Sequence, residues 1–145
     1  MRIKQLDPVT AGRLVTVDAK APPRAAALLL AKPRIGLVVV CHGDGTAQGV
    51  LSKSDLIRHL ANPGQDIRTV SALMTRRFVS CTPEDEVHLT WERMNRQGLQ
   101  NLPVLDGGSK PVGVLDIRDA VKALYEQEEL QERLLANYIA GVGYQ

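Results

Sequence analysis

Short, continuously apolar runs alternate along the chain with segments in which apolar residues recur at helical spacing. Residues 37–40 and 102–105 are apolar without alternation, which is typical of strands covered on both faces. A turn rich in glycine or aspartate follows each run, and a second apolar segment comes after the turn, which predicts two β-hairpins. The predicted strands are residues 14–17, 36–41, 48–51, 78–81, 102–105 and 112–115.

Four helices are predicted around these strands. One has its start marked by Thr82 as N-cap, with Pro83 after it and Asp85 three residues after the cap. Residues 87–94 place apolar side chains on one face of this helix, and Gly98 suits the left-handed residue that ends it. The other three are predicted from residue 22, over residues 53–61 and from residue 117 onward.

An internal repeat organises the chain. When the sequence is shifted by 64 residues, residues 14–60 align with residues 78–124 without a gap. Identical pairs cluster in residues 49–55 and 113–119, where Gly49, Val50, Leu51 and Asp55 each align with an identical residue. The order of predicted elements is β-α-β-β-α in both copies.

Two tandem β-α-β-β-α repeats predict an α/β (α+β) protein with a helix after the second copy. A unit of about 60 residues buries only a marginal core, so the copies are expected to pack sheet to sheet with pseudo-twofold symmetry. The predicted boundaries are residues 1–66 for the first repeat with its lead-in, 67–125 for the second, and 126–145 for a helical extension.

The composition argues against several classes of protein. With 44% apolar and 23% charged residues the chain has globular composition, and its net charge of +2 is too even for nucleic-acid binding. Apolar runs are too short for a membrane span, and the N-terminus lacks the apolar core of a signal peptide, which predicts a cytoplasmic protein. Cys41 and Cys81 are read as buried thiols, and no spacing favours a metal site. No nucleophile–base pair stands out, so no enzyme activity and no required cofactor are expected.

The segments from Gly49 to Asp55 and from Gly113 to Asp119 carry a family resemblance. Each has a glycine, two hydrophobic residues, three further residues and an aspartate, and residues 70–75, 82–85 and 102–105 add to the match. The pattern resembles the tandem CBS-domain pair, or Bateman module, over about residues 3–125. The tail is similar to that of small bacterial proteins that contain only this module.

The resemblance implies an adenosyl ligand such as AMP, ADP, ATP or S-adenosylmethionine in the cleft between the repeats. In the first copy Ser52 would face phosphate, Asp55 the ribose, and Gly49 would leave room for the ligand, with Lys53 as a further candidate. A helix N-terminus following the strand suits an anion. Ser52 and Asp55 equally fit a capping box that holds the helix alone.

The second copy departs from the pattern because Asp116 replaces the serine. This carboxylate repels phosphate, so we expect a second site that is empty or selective for a neutral or cationic ligand, with Arg118 offsetting part of the charge. Asp116 could also serve only as a cap. Asp119 stands in the place of Asp55. Gln100 and Asn101, before the strand at 102–105, are further candidate ligand contacts implied by the resemblance.

Apolar residues recur at four-residue spacing in the tail at Leu130, Leu134 and Tyr138, and Gly141 and Gly143 are expected to end its helix. This stripe predicts a partner surface or contacts to its own module, and the resemblance favours a homodimer. The function expected is a regulatory module that senses an adenosine ligand and acts on a protein partner. The alternative is a ligand-independent dimerisation or adaptor module.

Overall fold

The computed structural model of the protein describes residues 1–143. The predicted extension reaches residues 144 and 145, which lie outside the described residues. The first repeat contains α1 (Val9–Gly12), β1 (Thr16–Asp18), α2 (Pro23–Leu30), β2 (Leu37–Cys41), β3 (Ala47–Ser52) and α3 (Lys53–Ala61). The second contains α4 (Val87–Gln97), β4 (Asn101–Leu105), β5 (Pro111–Asp116) and α5 (Ile117–Gly143).

The two hairpins have the same register. β2 and β3 are antiparallel with Val40 opposite Gly49, and β4 and β5 are antiparallel with Val104 opposite Gly113. Each hairpin carries an irregularity directly after this pair. β1 lies parallel to β2, whereas the strand predicted at 78–81 is reduced to a single bridge between Cys81 and Val104. The predicted repeat is therefore confirmed in the strand pairing.

The apolar side chains form three clusters rather than one shared core. One lies between the sheet and helices of each repeat, and a third lies between the two sheets. The third contains Leu37, Val39 and Cys41 of β2 together with Val114 of β5. β2 is buried on both faces along its whole length, as its unbroken apolar run predicted. The repeats thus pack sheet to sheet.

The short 3-10 turns that precede each repeat are exchanged between the two repeats. Ile3, in the turn Ile3–Leu6, is buried in the cluster of the second repeat, and its N–H donates to the Asp85 carbonyl at 2.9 Å. Val70, in the turn Val70–Ala72, is buried in the cluster of the first repeat, and its N–H donates to the Ala21 carbonyl at 2.8 Å. Each repeat therefore completes its core with a segment from the other half of the chain.

This exchange explains why the predicted start of α4 is wrong. The Asp85 carboxylate does accept a hydrogen bond from the Thr82 N–H at 2.9 Å, as a capping residue would. The carbonyls of Pro83 and Asp85, however, accept hydrogen bonds from the N-terminal turn, so this backbone is paired with another segment. The helix begins only at Val87, where the Glu86 side chain caps it by accepting from the Leu89 N–H.

Helix α5 extends well beyond the second repeat. Ala120 is buried and Leu124 packs against the same cluster, whereas residues 128–141 are exposed. The helix includes Gly141 and is described as far as Gly143, the second of the two glycines predicted to end it. Within residues 1–143 no helix combines the length and apolar character that crossing a membrane requires.

Candidate functional site

A cleft of about 1160 Å³ lies between the two repeats. Its position follows from the strand register, because β2 starts opposite the end of β3 and β4 starts opposite the end of β5. The two strand ends lead directly into the N-termini of α3 and α5, whose first N–H groups lack acceptors within the helix. Of the candidates from the sequence, the cleft is lined by Ser52, Lys53, Gln100, Asn101, Asp116 and Arg118.

In the first repeat, Ser52 and Asp55 form a complete capping box. The Asp55 carboxylate accepts hydrogen bonds from the Ser52 N–H at 2.8 Å and hydroxyl at 3.1 Å, and the Ser52 hydroxyl accepts from the Asp55 N–H at 3.4 Å. The second carboxylate oxygen accepts from Arg58 at 2.9 Å. Ser52 borders the cleft, whereas Asp55 lines a smaller pocket beside Arg58 and His59.

In the second repeat, Asp116 is buried and held by Arg118. Its carboxylate accepts from the Arg118 N–H at 2.8 Å and from two guanidinium nitrogens at 3.0 and 2.9 Å. Burial alone would raise the pKa of this carboxyl, but the hydrogen bonds from Arg118 and the charges of Arg13 and Arg118 outweigh burial and lower the pKa. The negative charge that the sequence placed at this half of the cleft is therefore compensated within the protein.

Asp119 is bound by an arginine from the other repeat. The Arg13 guanidinium donates to both carboxylate oxygens of Asp119, at 3.0 Å for the Nη2 contact, and lies 3.7 Å from Asp116. It also donates to the Arg34 carbonyl at 2.7 Å. Both side chains of the Arg13–Asp119 pair are mostly buried, so this ion pair ties the N-terminal segment to the start of α5.

Gly49 is explained by packing against residues 74 and 75. A Cβ at this position would lie 2.6 Å from the Met74 sulfur and 2.9 Å from the Thr75 carbonyl oxygen. Thr75 in turn exchanges backbone hydrogen bonds with Val50, at 2.8 and 3.1 Å. Gly113 packs against Thr10 in the same way, since a Cβ at position 113 would lie 3.0 Å from Thr10.

Asn101 reaches across the interface between the repeats. Its side-chain nitrogen would lie 2.6 Å from a Cβ at Gly36, so the glycine makes room for this amide. The Asn101 Oδ1 is buried and has no hydrogen-bond partner within residues 1–143. An orphaned buried polar atom beside a cleft is a group that a ligand can satisfy.

Arg13, Arg34 and Gly36 also line the cleft, and none of them was predicted as a site residue from the sequence. Arg13 had a weak signal, because it stands 64 residues before Arg77, one residue ahead of the aligned repeat. Arg77 is exposed and makes no ion pair within the described part of the chain, so the repeat alone does not identify the role of Arg13. Arg34 adopts a positive φ of 70°, which no sequence pattern indicated.

Comparison with known proteins gives a family match over both repeats. The profile of the CBS domain matches residues 4–62 and 70–126. A curated relative, an uncharacterized 17.7 kDa protein of Acidianus ambivalens, is 26% identical over 109 residues, covering 75% of this chain and 66% of the relative. An L-aspartate semialdehyde sulfurtransferase of Methanosarcina acetivorans is 26% identical over 80% of this chain but only 23% of its own length. The chain thus spans under two thirds of these relatives.

Solved structures resemble the chain over most of its length. A CBS domain protein from Pyrobaculum aerophilum complexed with AMP has a TM-score of 0.71 and 27% identity, covering 82% of this chain and 89% of that one. A CBS-domain containing protein from Agrobacterium tumefaciens has a TM-score of 0.71 and 30% identity, covering 84% and 92%. A CBS domain pair in complex with 5′-methylthioadenosine and S-adenosyl-L-methionine, at 20% identity, TM-score 0.73 and coverage of 88% and 98%, shares the fold.

Proposed function

Because the chain belongs to the CBS domain family, with both repeats matched, we propose that it is a regulatory module that binds an adenosine-containing ligand between them. The observation that carries this proposal is the cleft onto which both strand–helix junctions open. The AMP-bound relative from Pyrobaculum aerophilum supports the choice of ligand class. Binding energy then regulates a partner by favouring one arrangement of the two repeats.

In this proposal, each half of the cleft contributes differently. Lys53 and the N-terminus of α3 supply hydrogen-bond donors on the first half, and the Ser52 hydroxyl could donate to a ligand only by leaving the Asp55 carboxylate. The orphaned amide oxygen of Asn101, with Gln100 beside it, is available for the ligand from the second repeat. Asp55 and Asp119 are held in internal pairs, and either carboxylate would have to exchange a partner in order to accept hydrogen bonds from a ribose.

A thermal-shift screen against AMP, ADP, ATP, S-adenosylmethionine, NAD and cyclic dinucleotides tests the function. A ligand present at 100 times its Kd adds about 2.7 kcal/mol to the free energy of unfolding, which raises Tm by several degrees in a domain of this size. We expect such a rise for at least one adenosine ligand. No shift with any member of the panel would favour the ligand-independent dimerisation module instead.

A cleft-blocking variant connects the shift to this site without disturbing the cap. Ser54 lines the cleft and is exposed, and the capping box uses Ser52 and Asp55 instead. Ser54→Trp is expected to keep the Tm of the free protein and to abolish the ligand-induced rise. Glu129→Trp, on the exposed face of α5 opposite the apolar stripe, is the matched control and should leave the rise intact.

We also infer that the chain forms a homodimer in the cytoplasm, through the exposed part of α5. Tyr138 lies 18 residues, or about five helical turns, after the buried Ala120, so the core-facing stripe of the helix continues past its own module. Two buried, unpaired cysteines suit a reducing compartment. The exposed apolar side chains of this stripe and its flank are Leu130, Leu134, Leu135, Tyr138 and Ile139.

Replacing Leu134 and Tyr138 together by lysine is expected to convert the dimer to a monomer, since a buried apolar contact would then carry two charges. Sedimentation equilibrium of the full chain measures the mass directly. Glu129→Lys with Ala136→Lys is the matched control, because both residues are exposed on the face of α5 opposite this stripe, and it should leave a dimer. A wild-type monomer at every concentration tested would contradict the inference.

A further inference from the structure

The charged side chains at the cleft are mainly cationic. Arg13, Arg34, Lys53 and Arg118 bring positive charges to its lining, and Asp116 brings a carboxylate. Charge at a cleft wall acts more strongly than at an open surface, because the protein beside it screens less than water does. The sign of the uncompensated charge therefore decides which ligands the cleft favours.

The carboxylates near the cleft are already engaged. Asp116 is 1% exposed and accepts three hydrogen bonds from Arg118. Both oxygens of Asp119 accept from Arg13, and both oxygens of Asp55 accept from protein donors. A ligand cation, such as a sulfonium or an ammonium, would have to break one of these pairs to gain a counterion.

The cationic side chains at the cleft are more available to a ligand than the carboxylates are. Arg34 and Lys53 are exposed at the cleft and form no ion pair within residues 1–143. Arg118 also lines the cleft, and its side chain is 75% exposed even though it holds Asp116. Lys53 also stands at the first position of α3, where the helix dipole adds to its positive charge.

We propose that the cleft selects an adenosine di- or triphosphate over AMP and over S-adenosylmethionine, with Arg34 and Lys53 setting this preference through the added phosphates. This inference rests on the proposed function and specifies the ligand class at the same cleft. Hydrogen bonds from ammonium and guanidinium groups to phosphate are charge-assisted and therefore stronger than neutral ones. Each further phosphate gains such contacts, whereas a cationic ligand meets like charge.

Isothermal titration calorimetry of the full chain with AMP, ADP, ATP, S-adenosylmethionine and inorganic tripolyphosphate tests the selection. We expect ATP to bind at least about tenfold more tightly than AMP, or ~1.4 kcal/mol, and S-adenosylmethionine to bind more weakly than AMP. The ATP affinity should fall as salt is raised, because screening weakens exposed charges.

Two charge-removing variants locate the effect. Arg34→Gln and Lys53→Gln should each weaken ATP binding about five- to tenfold and change AMP binding less, since charge-assisted contacts to the outer phosphates are lost. Lys32→Gln is the matched control, because Lys32 is exposed in the same loop but does not line the cleft, and it should leave the ATP affinity unchanged.

The outcomes separate this inference from the proposed function. If S-adenosylmethionine binds as tightly as ATP, or if both variants keep the wild-type ATP affinity, the charge selection is wrong while the adenosine-binding function stands. If tripolyphosphate binds and no adenosine ligand does, the anion preference stands and the proposed function fails. If none of the five compounds binds, both are wrong.

Discussion

Arg13→Met is expected to lower the free energy of unfolding by about 2–3 kcal/mol, because it leaves the largely buried Asp119 carboxylate without its partner. The loss should be somewhat below the ~3–5 kcal/mol of a fully buried broken pair, since the Asp119 side chain keeps 17% of its surface in water. Urea denaturation at neutral pH measures the change. Arg58→Met is the matched control, because the Arg58 side chain is 73% exposed and the Asp55 carboxylate keeps its hydrogen bonds from Ser52, so the loss should be only about 0–1 kcal/mol.

The same variant should unfold at a higher pH on acidification. The pKa of Asp116 is lowered in the folded protein, so its contribution to stability is present above the unfolded-state pKa and is lost as the pH falls through the folded-state pKa. The charge of Arg13 is one of the causes that lower this pKa, so its removal moves the loss upward in pH. An Arg13→Met protein no less stable than Arg58→Met, with an unchanged acid transition, would show that the buried pair has no net effect.

Ile3→Ala is expected to cost about 2–4 kcal/mol, as is typical when a fully buried aliphatic side chain leaves a cavity. Ile3 is 1% exposed and packs with residues of the second repeat, including Val87 and Met94. The substitution at the N-terminus should therefore loosen the far half of the chain. Hydrogen exchange should show faster exchange of α4 and β4 amides, with β2 affected less.

The control for this prediction is Val9→Ala. Val9 also lies in the N-terminal segment but is 50% exposed, so its truncation should change the free energy of unfolding by less than about 0.5 kcal/mol. Equal losses from both substitutions, or faster exchange confined to the first repeat, would contradict the exchanged packing of the two 3-10 turns.

Local chemistry predicts the fold well where one segment contains everything that determines its structure. The bounds of α3 follow from Ser52 as its cap, and the αL conformation at Gly98, with φ of 68°, follows from the glycine after an apolar helix face. The start of α4 fails for the opposite reason. The carbonyls of Pro83 and Asp85 are paired with Lys4 and Ile3, at the other end of the first repeat, and no local pattern reports such a pairing.

In the candidate site, too, the sequence predicts the local features but not the contacts between distant segments. The repeat and the family resemblance locate Ser52 and Asp116 at the strand–helix junctions, where the structure also has them. They do not reveal that Asp116 is neutralised by Arg118, nor that Arg13 crosses from the other repeat to Asp119. These contacts depend on how the repeats are placed, so the charge of the cleft can be read only from the assembled molecule.

Helix α5 would give the proposed regulatory module a mechanical output. It begins in the cleft at Ile117 and runs for 27 residues with neither proline nor glycine before Gly141. At a rise of about 1.5 Å per residue the helix is about 40 Å long, so a tilt of only ~5° at its base displaces its far end by about 3.5 Å. A ligand that shifts the first turn of α5 therefore acts on a long lever, and the movement is largest at the apolar stripe around Tyr138.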